Sequence, residues 1–149
     1  MPEYLELTVD KFTFKVATDR FYTGEGLWAR PEGNLVRIGL SDYLAQRSGD
    51  VAFAEVRPQG ARLDFDQEVA VIETIKVNIS LGSPVTGMII EVNPTMETTP
   101  EVINQDPYGA GWLALLEADN WQVDQGRLMN PQAYFARIKA EAEQEANHK

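Results

Sequence analysis

Residues 70–93 read AVIETIKVNISLGSPVTGMIIEVN. Two β-rich segments meet there at Lys76, and Glu73, Thr74, Lys76, Asn78 and Ser80 interrupt an otherwise apolar pattern. Such a stretch predicts a hairpin with the lysine at its tip, where a modifying enzyme could reach the amine. No Asn-Gly or Asp-Gly pair marks the turn, so pattern alone does not prove the hairpin. By itself an exposed lysine is usually just a solvated charge, and short motifs match by chance.

Outward from this stretch the chain continues as short strands separated by turns. YLELTV and FTFKVA alternate apolar and polar residues, as half-buried strands do. LWAR, the turn Pro31-Glu32-Gly33-Asn34, and LVRIGL form a second hairpin pattern. VAFAEVRP, QEVAVIETI, VNISLGSPV, TGMIIEVN and GWLALLEA supply further strands. Many short strands at close spacing predict a mainly β sandwich or barrel. Three short helices fit around it. Ser41 can cap DYLAQRS with Gly49 at its end. Thr99 can cap a second helix with Pro100 at its first position. A C-terminal helix starts at Asn130-Pro131, with Tyr134, Phe135, Ile138 and Ala142 at helical spacing. The length suits one domain, 1–149, whose polar stretch 143–149 is expected to fray.

Composition narrows the function. The 149 residues carry a formal net charge of −10. Nucleic acid needs a basic surface, so neither DNA nor RNA is an expected partner. No apolar run approaches the ~18 residues of a membrane span. The start MPEYLELTVD shows no signal peptide pattern, so the expected location is cytoplasmic. Acidity serves solubility first, and it would also steer docking onto basic partners. Cysteine is absent and the one histidine is the penultimate His148. No Ser-His-Asp or Cys-His arrangement and no cysteine-based metal site can therefore be built. No carboxylate pair stands out either, so no catalytic or metal residue is expected.

The ordered motifs around Lys76 carry more than composition does. Glu73-Thr74-Ile75-Lys76 is followed by Ser83-Pro84-Val85-Thr86-Gly87 and Glu91-Val92-Asn93. Then come Pro100-Glu101-Val102-Ile103-Asn104 and Asp106-Pro107-Tyr108-Gly109-Ala110-Gly111-Trp112-Leu113. Upstream stand VRIGLSDY at 36–43 and Gly49-Asp50-Val51. In this order and spacing the chain resembles the H protein of the glycine cleavage system, from about Phe21 to the C-terminal helix. The resemblance implies an H-protein or lipoyl-domain-like β-sandwich, a barrel-sandwich hybrid with short flanking helices. It implies a monomeric carrier, not an enzyme, with lipoate attached by an amide to Lys76. Glu73, three residues before the lysine, and Gly87, eleven after, stand where the family's lipoylating enzymes look for glutamate and glycine. Their plainer readings are a solvated strand charge and a turn glycine. The arm would swing between partner active sites, the chemistry sitting on the cofactor.

Two segments depart from the family pattern. Where it has His-Glu-Trp, this chain has Glu25-Gly26-Leu27-Trp28, keeping the tryptophan but not the histidine; after the lysine it has Val77-Asn78-Ile79-Ser80-Leu81-Gly82, with Asn78, Leu81 and Gly82 in place of charged or aromatic groups. These stretches, with FTFKVATDRFYTGEGLWA, look closer to lipoate-binding proteins of the heterodisulfide-reductase-like sulfur-oxidising system. The partners would then be a lipoylating enzyme and that sulfur-oxidising complex. The alternative is glycine cleavage itself, with the P, T and L proteins as partners and an aminomethyl group as cargo. An unmodified scaffold, a biotin carrier and an enzyme are weaker readings. Biotin carriers prefer methionines beside the lysine, and Ile75 and Val77 stand there.

Overall fold

The computed structural model describes residues 3–147. The chain begins with a hairpin of β1 (Tyr4–Val9) and β2 (Phe12–Ala17), closed through Asp10-Lys11. Asp10 takes a left-handed φ of 57°, which an aspartate tolerates better than most residues. β3 (Phe21–Tyr22), β4 (Leu27–Glu32) and β5 (Leu35–Leu40) follow. Glu32 pairs with Leu35, so Pro31 and Glu32, expected in the turn, belong to the strand. Gly33, at φ 64°, and Asn34 alone make the turn. Then come α1 (Asp42–Ser48), β6 (Val51–Val56), β7 (Arg62–Leu63), β8 (Glu68–Thr74), β9 (Asn78–Gly82) and β10 (Gly87–Val92). The rest is α2 (Thr95–Thr98), α3 (Val102–Gln105), β11 (Ala114–Ala118), α4 (Trp121–Gln125) and α5 (Pro131–Ala146).

The strands form a six-stranded sheet, ordered β3-β4-β5-β11-β10-β7, and a three-stranded sheet, β6-β8-β9, apart from the first hairpin. Neither sheet closes on itself, so the mainly β expectation holds as open sheets without a closed barrel. One apolar core joins the two sheets: Leu27, Ile38, Leu40, Ile89 and Leu116 of the first meet Ile72 and Leu81 of the second there. A second core gathers Leu7, Phe14 and Val16 of the first hairpin with Tyr43, Tyr134 and Ile138. That core seats β1 and β2 between α1 and α5.

Three helix expectations need correction. α3 starts after Glu101, and Thr99 does not cap it with its side chain. Its backbone carbonyl takes the Val102 N–H while its hydroxyl turns to Thr98. α5 does not fray at 143. It stays helical to Ala146 because Ala142 is buried and Glu145 pairs with Arg47 of α1. His148 and Lys149, the end of the expected tail, lie outside the described residues. α2 and α4 bring the helices among the described residues to five, where three were expected. No helix of the described residues is long and apolar enough to cross a membrane.

Candidate functional site

β8 and β9 form the hairpin expected around Lys76, with Glu73 opposite Asn78. Thr74 organises its tip. The Thr74 N–H donates to the Val77 carbonyl at 2.9 Å. The return bond of a tight turn is made by the side chain: Thr74 Oγ1 accepts from the Val77 N–H at 3.0 Å and the Lys76 N–H at 3.1 Å. The same hydroxyl donates to the Ser48 carbonyl at 2.7 Å. A threonine thus closes a turn for which no Asn-Gly pair is present.

The tip is tied to the loop between α1 and β6. The Ile75 N–H reaches the Asp50 carbonyl at 3.2 Å. Asn104 holds that loop from below, donating to the Gly49 carbonyl and accepting from the Val51 N–H, both at 2.9 Å. Gly49 has φ 89°, and a Cβ on it would stand 2.8 Å from Lys76 Cδ. The aliphatic stem of Lys76 therefore lies across a position only glycine fills without strain. Lys76 Nζ donates to the Arg47 carbonyl at 3.4 Å, in the last turn of α1, where free carbonyls favour a cation. The lysine is exposed, and so are its neighbours Ile75 (76%) and Val77 (46%). Two apolar side chains thus stand in water on either side of the reachable amine.

The other expected residues divide. Glu73 is exposed on the same hairpin. Gly87 lies elsewhere: buried in the six-stranded sheet between Ala118 and Leu63, where a Cβ would run into the Glu117 carbonyl oxygen. Its need for glycine is one of strand packing. Gly26, in the stretch from which the resembling pattern's histidine is absent, has φ 106°, and a Cβ there would approach Leu44 and the Tyr134 hydroxyl at 3.0 Å. No side chain fits easily at that place. The two departing segments also meet, because the Gly82 N–H donates to Glu25 Oε1 at 3.1 Å.

Hairpin geometry alone does not choose the lysine, since Lys11 also sits in a hairpin turn, between β1 and β2. Thr74 and the supports supplied by Arg47 and Asn104 were not singled out from sequence. The Asn104 motif stood in plain view, but its contact with the loop under Lys76 spans more than fifty residues. Beside Lys76 runs a groove of about 200 Å³ whose lining includes Phe12, Phe14, Tyr43 and Arg47.

Comparison with known proteins follows the same outline. The profile of the family described as glycine cleavage H-protein matches residues 20–141. The chain is 39% identical over 127 residues to a glycine cleavage system H protein of Thermus thermophilus, covering 85% of this chain and 98% of that one. It is 38% identical over 126 residues to the probable glycine cleavage system H protein of Natronomonas pharaonis, again covering 85% and 98%. Its fold is similar to the crystal structure of a glycine cleavage system H protein from Mycobacterium marinum, with a TM-score of 0.73 and 27% identity. That likeness covers 81% of this chain and 97% of the other.

Proposed function

The chain belongs to the glycine cleavage H-protein family, and we propose that it does that family's carrier work through Lys76. Glycine cleavage H proteins hold lipoate covalently on a lysine and are not themselves catalysts. The observation that carries the choice of Lys76 is its setting. It is an exposed amine at a hairpin tip, flanked by exposed Ile75 and Val77, with Nζ held by one long bond of 3.4 Å. These residues fit a lipoyl group. Acylation removes the charge of Nζ but leaves one N–H able to face the Arg47 carbonyl, and the stem stays supported by Gly49. The dithiolane supplies a reversible disulfide when the group is bound. The chain's own part is to present the tip and keep its backbone rigid. Glu73, exposed beside it, is the side chain we assign to recognition by the lipoylating enzyme. Gly87, being buried, would influence lipoylation only through the sheet it lets close.

Expression with a lipoylating enzyme, followed by intact-mass and peptide-mapping spectrometry, tests this. One lipoyl adduct on Lys76 is expected, absent in Lys76→Arg and retained in Lys11→Arg. An adduct on Lys11, or none, would refute the assignment.

The cargo follows from the same kinship. Similarity to glycine cleavage H proteins over 85% of the chain supports a carrier that serves glycine cleavage, with its P, T and L proteins as partners. It backs that reading over heterodisulfide-reductase-like sulfur oxidation. One observation keeps sulfur oxidation as a second reading: the departing stretches Glu25 to Trp28 and Asn78 to Gly82 meet through the Glu25–Gly82 bond. Lipoylated protein offered to a glycine-decarboxylating P protein should support exchange of the glycine carboxyl carbon with CO2. Failure there, with turnover by a sulfur-oxidising complex, would reverse the order.

A further inference from the structure

Four consecutive residues, 47–50, touch the hairpin tip one after another. The Arg47 carbonyl takes Lys76 Nζ at 3.4 Å, and the Ser48 carbonyl takes the Thr74 hydroxyl at 2.7 Å. The Lys76 stem crosses Gly49, and the Asp50 carbonyl takes the Ile75 N–H at 3.2 Å. Every hydrogen bond in this set ends on a main-chain oxygen. The direction of the tip is therefore set by where that backbone lies, and residues 47–50 act as its seat.

The seat lies at and past the end of α1, and its Gly49, at φ 89°, belongs to the residue type with the widest backbone freedom. Asn104 supplies a restraint. Its amide donates to the Gly49 carbonyl at 2.9 Å and, more weakly, to the Ala45 carbonyl at 3.5 Å. Its Oδ1 accepts from the Val51 N–H at 2.9 Å. One side chain thus joins the last turn of α1, the seat and the first residue of β6. α3 carries Asn104, and the wholly buried Ile103 anchors α3 in the first core. All three bonds run to backbone between residues 45 and 51, so Asn104 would act on Lys76 through the seat.

We propose that Asn104 is a positioning residue for the modification of Lys76. By fixing residues 47–51 it keeps the hairpin tip in the form that the lipoylating enzyme binds. The inference rests on the lipoyl reading of Lys76. A tip seated for only part of the time weakens apparent affinity by the seated fraction and leaves the transfer step alone. The signature is a raised KM for the carrier with kcat unchanged.

Asn104→Ala removes all three bonds. Asn104→Asp keeps an oxygen for the Val51 N–H but sets a carboxylate oxygen against the Gly49 carbonyl, so it should do no better. In both full-length variants, exchange of the Ile75 amide should quicken and KM for lipoylation should rise by roughly five- to thirtyfold, the factor that one or two net hydrogen bonds correspond to. Their kcat should stay within about twofold of wild type. Ile138→Ala, which unsettles the second core instead, controls for lost stability, and its KM should match wild type. A wild-type KM in both Asn104 variants, an equal rise in Ile138→Ala, or unchanged Ile75 exchange would overturn the positioning role alone. Absence of the adduct from Lys76 of the wild type would overturn the lipoyl reading together with it.

Discussion

At the hairpin tip a single hydroxyl satisfies two N–H donors that a tighter turn would bond to a carbonyl. Thr74→Val should therefore loosen residues 74–77 by about 1 kcal/mol, the net value of such bonds. Hydrogen exchange at the Lys76 and Val77 amides should quicken several-fold, while Thr74→Ser should exchange like wild type. The same scale governs Glu32. Hydrogen bonds from Arg37 at 2.7 Å, and then from Arg30, hold its carboxyl down at about 2, against the ordinary 4.5. Because the folded value is depressed, the stabilisation is complete above the ordinary carboxylate range and is lost as pH falls through about 2. Glu32 is part-exposed, so solvent screening limits the effect to about 1 kcal/mol at neutral pH. Urea titrations should show Glu32→Gln less stable by that amount at pH 7, with the gap closing between roughly pH 5 and pH 2. Lys76 could be read from sequence only through the ordered motifs around it, because Lys11 satisfies the same local geometry. Nothing local told Gly87 apart from a turn glycine, since its constraint comes from the Glu117 carbonyl on another strand.

Strands with alternating burial were legible as elements. β1, β2 and β5 follow the pattern of their residues, and α1 has the Ser41 cap and Gly49 end that its flanks announced. The two-residue strands β3 and β7 carry no period of their own and exist because longer neighbours pair with them. The end of α5 was misread for a related reason. Its polar composition favours fraying, but a buried Ala142 and the pair with Arg47 are contacts at long range. Where the first hairpin docks was likewise invisible, since Phe14 and Ile138 meet only in the folded chain. Ile138, almost wholly buried on α5, gives a prediction at this scale. Ile138→Ala should cost about 2–4 kcal/mol in a denaturation experiment. Exchange protection should fall across β1 and β2 more than across β8 and β9, because the buried side chains of the first hairpin belong to the second core and those of β8 and β9 to the first.

For the whole molecule the governing quantity is a net charge of −10 on 149 residues. Partners that dock a basic face around Lys76 would be drawn in by that field. Stopped-flow association with the lipoylating enzyme should slow by roughly tenfold when salt rises from about 10 to 150 mM, as the screening length shrinks from ~30 to ~8 Å. A rate indifferent to salt would point to docking through Ile75 and Val77. The groove beside Lys76 has one more property, which belongs to time. Of its lining, the ribosome makes Phe12 and Phe14 before Lys76, and Ala142 and Ala146 of α5 well after. At about 5–20 residues per second, the lysine is out for several seconds before α5 is complete. During synthesis the lysine is therefore made before the groove beside it can close, since α5 both lines that groove and helps to seat the first hairpin.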